Sequence, residues 1–270
     1  MKVIAHLSLV SAAIILIPAL ALADSTVNGN SQVNATDNIY ASGSQGGLIT
    51  NCSAPSINYC GAGGQGTPPG FILLNGATYV TFSASGTISL DGNDEQFNDP
   101  DGYYNGIPAY NLVPTYASSN PGFESLSGIT APGAGYLVGV FVGPDGPSGS
   151  APASLDYTAA GAESLTSYSP LLDQVFFIGD GLTGDGTGTV QDFVVPAGAT
   201  ELYLGISDAC NFQGPPSCYG GNDGAYNANY SLVTTGGNSS PSPTPEPQSL
   251  LLLGTGVLGA ASALRRRIVR

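Results

Sequence analysis

"VTFSASGTISL", residues 80–90, decides the fold. Val80, Phe82, Ala84, Ile88 and Leu90 share one parity, and Thr81, Ser83, Ser85, Thr87 and Ser89 share the other. A period of two sends the apolar set to one face of a pleated strand and the hydroxyls to the opposite face. Such a strand is half-buried and needs a second layer over its apolar side. Leu202, Leu204 and Ile206 repeat the pattern. So do Tyr226, Ala228, Tyr230 and Leu232, set against Asn227, Asn229 and Ser231. "YLVGVFV" (136–142) and "QVFFIG" (174–179) are apolar on both parities and are predicted as central strands. "NIYASG" (38–43), "FILL" (71–74) and "VQDFVV" (190–195) complete the set. The chain's 39 glycines and 20 prolines punctuate them with turns. Within the domain no segment carries a long helical period, and a helical turn over 165–172 is conceivable. The pattern predicts an all-β fold, an antiparallel β-sandwich of the jelly-roll kind.

Charge divides the chain more sharply than hydropathy does. Its net charge is -14 over 270 residues, and the five basic side chains are Lys2, Arg265, Arg266, Arg267 and Arg270. The one histidine is His6, so residues 24–264 contain no Lys, Arg or His. Nothing there can neutralise phosphates, which excludes nucleic acid as a partner. A Ser-His-Asp triad, a Cys-His pair and a Schiff base are excluded as well. A carboxylate pair could hydrolyse glycosides, but nineteen acids make some close pair inevitable. The expectation is a protein that is not an enzyme.

The flanks read as addresses. "MKVIAHLSLVSAAIILIPALALA" (1–23) joins a lysine, an apolar stretch and an A-x-A end at Ala21 and Ala23. That is the layout of a cleaved secretory signal. Residues 24–233 form the exported domain, and 234–244 a Gly/Ser/Pro linker that should run extended and solvated. Residues 249–264 carry no charge. As a helix they reach roughly 24 Å, slightly short of a ~30 Å hydrocarbon core, and flanking arginines can snorkel to close the gap. The arginines at 265–270 would stay cytoplasmic.

Pro245-Glu246-Pro247, a Leu/Gly/Ala run and then Arg265, Arg266 and Arg267 resemble the PEP-CTERM sorting domain of Gram-negative bacteria, over residues 245–270. The resemblance implies recognition by an exosortase, a membrane transpeptidase-like enzyme that cuts near Pro-Glu-Pro. The chain would pass transiently through the inner membrane and reach the cell surface or the extracellular space. An ordinary membrane anchor is the alternative, and it would not need Pro-Glu-Pro.

Cys52, Cys60, Cys210 and Cys218 form two C-x7-C pairs in an exported chain. Disulfides Cys52–Cys60 and Cys210–Cys218 are the favoured pairing of the three possible.

"VVPAGATELYLGISDA" (194–209), the loop to "CYGGNDG" (218–224) and the alternating strand after it are similar to the C-terminal half of galactophilic PA-I-type lectins and related galactose-binding-like sandwiches. That resemblance implies a Ca²⁺ held by Asp208 and Asn222, with carbonyls from Cys218 and from Leu90 or Asp91, and a carbohydrate ligand such as an extracellular polysaccharide. Gly221 stands where those lectins place a first asparagine. An Asx-type turn bond is the alternative for Asp208 and Asn222. Tyr103, Tyr104, Tyr110, Phe123 and Tyr219 are loop aromatics that could stack on sugar rings or simply pack. "DGNDEQFNDPDG" (91–102) gathers Asp91, Asp94, Glu95, Asp99 and Asp101, yet Gln96 and Gly102 break the EF-hand pattern. "GDGLTGDGTG" (179–188) has the glycines of a phosphate loop without its lysine, and turns are expected there. A purely structural surface or biofilm component is the rival to a carbohydrate-binding module.

Overall fold

The computed structural model describes residues 24–43, 64, 66–91, 97–111, 113–116, 125–214 and 216–236. The expected signal segment, Cys52 and Cys60, most of the linker and the apolar run at 249–264 lie outside them. Among the described residues no helix is long and apolar enough to cross a membrane.

Among the described residues nine strands build the sandwich. They are β1 (Ser25–Asn34), β2 (Phe71–Leu73), β3 (Tyr79–Ser89), β4 (Leu137–Val142), β5 (Ser167–Tyr168), β6 (Val175–Phe177), β7 (Asp192–Val194), β8 (Glu201–Ile206) and β9 (Asp223–Thr234). One sheet runs β1-β9-β3-β7-β5 and the other β6-β4-β8-β2. All these pairings are antiparallel except the short one between β5 and β7.

The alternation at 80–90 does what its chemistry requires. Val80, Phe82 and Ile88 are buried, while Ser83, Ser85 and Thr87 face out. Phe82 meets Phe193 of β7 edge-on at 5.5 Å, and Phe193 stacks at 5.5 Å on Phe176 of β6. That last contact joins the two sheets through their shared core. Phe176 also stacks on Phe141 of β4 at 5.1 Å. Its neighbour Phe177 points the other way, to Tyr136 and Tyr157, each at 5.5 Å. The second sheet is therefore covered on both faces, which is why every residue of β4 is buried.

Two local expectations are corrected. Residues 38–43 hold a buried 3-10 turn, Ile39–Ala41, rather than a strand. Its apolar residues plug the sheet: a Cβ on Gly205 of β8 would stand 2.7 Å from the Asp37 carbonyl and 3.0 Å from the Ile39 nitrogen. The segment 165–172 contains β5 and turns in place of a helical turn, because Tyr168 must reach inward to stack on Phe193 at 5.5 Å.

Candidate functional site

Three features of the sandwich carry chemistry. The first is the loop after β8. Asp208 is 1% exposed. Its Oδ1 accepts the Ala209 amide at 2.7 Å, and its Oδ2 accepts Asn222 Nδ2 at 3.0 Å. Asn222 Nδ2 also donates to the Ala35 carbonyl at 3.0 Å. Burial pushes the Asp208 carboxyl up to about 7, against the lowering effect of those two bonds. Cys218 adopts left-handed backbone angles, φ 69°, and forms a disulfide with Cys210 across a Cα–Cα distance of 5.2 Å. Its carbonyl accepts the Gly221 amide at 3.5 Å, a long contact that leaves the oxygen weakly engaged. Asp91 is exposed and accepts the Ser89 hydroxyl at 3.1 Å. Burial first, then the Asp91 charge and more weakly that of Asp208, raises the phenol of Tyr110.

The structure thus brings Asp208 and Asn222 into direct contact, with Cys218 on the same loop, while Asp91 bears on the same tyrosine, Tyr110, that Asp208 influences. Whether they suit the Ca²⁺ that the lectin resemblance implies turns on one orphan. Asn222 Oδ1 is buried and has no hydrogen-bond partner among the described residues, on an amide already touching a buried carboxylate. A buried carbonyl oxygen without a donor is costly, and a hard cation is one way to satisfy it. The donor set is compatible with Ca²⁺ on that ground.

Tyr219 does not face solvent. It is wholly buried, donates to the Ile206 carbonyl and accepts the Asp208 amide, each at 3.0 Å. Its role is to brace the loop, not to stack on a sugar. Phe123 lies outside the described residues.

The second feature is a concentration of acids that the sequence splits between two segments. Asp99 Oδ1 accepts the amides of Asp101 (3.1 Å) and Tyr103 (2.8 Å). Asp101 Oδ1 accepts the Asp180 amide at 3.0 Å. Asp180 in turn accepts the amides of Leu182 (2.7 Å) and Gly186 (2.8 Å), which holds Asp185 in the turn between them. Glu163 Oε2 accepts the Tyr103 hydroxyl at 3.2 Å. Burial, then the Asp180 charge, pushes Asp101 up to about 8, and burial pushes Glu163 up to about 7.

The third feature is the outer face of β1, β9 and β3. Register places three rows across it: Asn28, Ser231 and Thr81; Asn30, Asn229 and Ser83; Gln32, Asn227 and Ser85. No charge interrupts them. Asn30 Nδ2 donates to Asn229 Oδ1 at 3.1 Å, and Ser231 Oγ donates to Asn28 Oδ1 at 2.8 Å. A shallow concavity of about 360 Å³ opens beside Asn28, Thr81, Ser83, Asn229, Tyr230 and Ser231. The alternation of β9 was legible in the sequence, but β1 was not, so the three-strand array could not be foreseen.

Comparison with known proteins adds one match. Residues 243–267 match the PEP-CTERM protein-sorting motif. That stretch contains Pro245, Glu246, Pro247 and the three arginines Arg265, Arg266 and Arg267. Neither the curated proteins nor the solved structures give a match. The likeness to galactophilic lectins gains no support from these comparisons.

Proposed function

We propose that this chain, carrying a PEP-CTERM sorting motif behind an all-β domain, is an exosortase-processed surface module that binds neutral extracellular polysaccharide with the support of Ca²⁺. The motif implies an exosortase as processing partner and a membrane-anchored passage before release at the cell surface. The finer part rests on the sheet face. Nine amide and hydroxyl side chains in register offer donors and acceptors without a formal charge. Strands about 4.8 Å apart present those rows as a regular polar array. Amides can donate and accept at once, as sugar hydroxyls require. The side chains already bond to one another, so little rotamer freedom is lost on binding.

Ca²⁺ would be held by Asp208 and Asn222, with the Cys218 carbonyl and Asp91 as further oxygens, and would supply the positive charge that the domain lacks. The support for it is the orphaned Asn222 oxygen beside a buried carboxylate. The module acts by binding and not by turnover.

The test is a glycan array of neutral polysaccharides probed with the processed protein, with Ca²⁺ and with chelator. Binding should survive in Asp145→Asn and fall about tenfold or more in the Asn30→Ala/Asn229→Ala pair. Equal binding by the pair and the wild type would remove the sheet face from the account. Absence of binding under every condition would leave a structural surface component.

A further inference from the structure

The outer side of β1 is a long sheet edge. β1 spans 10 residues and pairs with β9 in an unbroken register, from Ser25 opposite Thr234 to Asn34 opposite Ala225. Its other side meets no strand among the described residues. The remaining edges of the sandwich are short by comparison: β5 has 2 residues, and β2 and β6 have 3 each.

The parity of the ladder decides which backbone groups face outward. The Ala35 amide donates to the Gly224 carbonyl at 3.1 Å, in register with the strand before it. Opposed residues of an antiparallel pair alternate between exchanging two hydrogen bonds and exchanging none. Odd-numbered residues of β1 therefore bond to β9, and the amides and carbonyls of Thr26, Asn28, Asn30 and Gln32 point away from the sheet. Asn34, next in that series, obeys the same parity: its amide turns outward and donates to Asp37 Oδ2 at 2.8 Å.

Such an edge is a template for another strand, and proteins that keep it solitary use lysine, proline, a bulge or a very short strand. β1 uses none of these. "STVNGNSQVN" holds no charge and no proline, and its register does not shift. The chain has 19 acids, yet Asp223 is the only one within β1, β9 and β3. In a domain whose acids repel a second copy, this flank is where two copies can approach.

We propose that β1 pairs with β1 of a second copy of this chain, antiparallel about a two-fold axis at Gly29, joining two five-stranded sheets into one. Setting Gly29 opposite Gly29 places Asn28 opposite Asn30 and Thr26 opposite Gln32, so every outward group meets another. An axis at Asn28 would instead set Gln32 against Asp24, and an axis at Asn30 would set Thr26 against Asn34, whose amide Asp37 already holds. The pair at the axis is of the non-hydrogen-bonded kind, with Cα atoms about 4.5 Å apart. Glycine suits that close approach, and the Tyr230 ring already fills the space a Cβ there would need. At each end Asp24 of one copy comes opposite Asn34 of the other, beside Asp37. Like charges meet there, so salt should tighten the dimer. The pairing uses backbone groups and does not rest on the polysaccharide reading.

Sedimentation of the processed protein from about 1 to about 100 µM tests it. A monomer–dimer equilibrium should appear and strengthen between about 0.05 M and about 0.5 M salt. Asn28→Pro removes an outward amide that the ladder with β9 does not use. That variant should keep its melting temperature at low concentration and dimerise at least about tenfold more weakly. Should it misfold, the Asn28→Asp/Asn30→Asp pair puts carboxylates opposite one another and should weaken the dimer as much. Hydrogen exchange reads the same edge in the wild type. The amides of Thr26, Asn28, Asn30 and Gln32 should slow about tenfold or more at high concentration, while those of Val27, Gly29 and Ser31 are slow throughout. The Asn30→Ala/Asn229→Ala pair keeps every backbone group and should still dimerise, which separates this edge from the glycan-binding face. A monomer at every concentration and salt would overturn the proposal. So would a dimer of wild-type strength in Asn28→Pro, or one whose even-numbered β1 amides stay unprotected.

Discussion

Acid should stabilise this domain in the absence of divalent ions, and the structure says over which range. Burial raises Asp101 to about 8 and Asp208 to about 7, from an ordinary 3.8. Asp99 and Asp180 are raised too, burial again being the main cause. A carboxyl whose native pKa exceeds its unfolded value binds the proton more tightly when folded. Its contribution is fully present below about pH 4 and is lost as pH climbs through the native value, here toward pH 7–8. One group protonated in the native state and ionised in the unfolded chain costs about 1.4 kcal/mol per pH unit. From pH 5 to 7 Asp101 alone thus accounts for at most about 2.7 kcal/mol, and Asp208 for somewhat less. Glu163 is also raised, but it is partly exposed and is left out. A loss of about 2–4 kcal/mol in a domain near 200 residues lowers the melting temperature by roughly 5–15 °C. The assay is thermal unfolding followed by circular dichroism in chelator at pH 5, 6 and 7. Asp101→Asn should flatten the slope, because an amide does not titrate. Saturating Ca²⁺ should flatten it as well, since a cation prefers the ionised carboxylates. A melting temperature that holds steady or rises from pH 5 to 7 in chelator would show that these acids are not withdrawn from water as described.

Two other perturbations test the framework that positions the sites. The Tyr226 hydroxyl lies 2.7 Å from the Asp99 carbonyl, 2.8 Å from that of Gly135 and 3.1 Å from that of Asn98; Tyr226→Phe should cost about 1–3 kcal/mol in denaturant unfolding by leaving buried carbonyls without their donor. Replacing Cys210 and Cys218 together by serine opens a nine-residue loop and should cost about 2–3 kcal/mol, read from melting curves, while non-reducing peptide mapping of the wild type should recover the two joined.

How much of this was legible in the sequence depends on distance along the chain. The alternation at 80–90 and 226–232 needed no partner to be read, because hydroxyls and amides fall on every second residue. β1 escaped notice because "STVNGNSQVN" offers only Val27 and Val33 to the inward parity, and Val27 remains 61% exposed. That strand is held by pairing along β9 over its whole length, a long-range cause with no local signature. Residues 38–43 misled for the opposite reason: they are apolar because they plug a sheet, and burial alone does not distinguish a strand from a turn. The local C-x7-C spacing pointed to Cys210–Cys218, and the structure joins those two. Asp208 and Asn222, fourteen residues apart, were readable as a pair. Asp101 and Asp180 were not. Each stood in a glycine-rich turn that looked solvated, and only the sheet order brings the 98–103 loop against the 180–186 segment. The repeated Asp-Gly steps in both segments were the available signal.

The central claim is that this chain is sorted to the surface by cleavage at its PEP-CTERM motif, and the mass of the mature protein tests it most directly. Protein recovered from the surface or medium of the native host should carry a C-terminus near Pro245–Pro247 by intact-mass and C-terminal peptide analysis. Without an exosortase, the same chain should stay in the membrane fraction with its arginines attached. Recovery of peptides reaching Arg267 from most surface molecules would contradict the account.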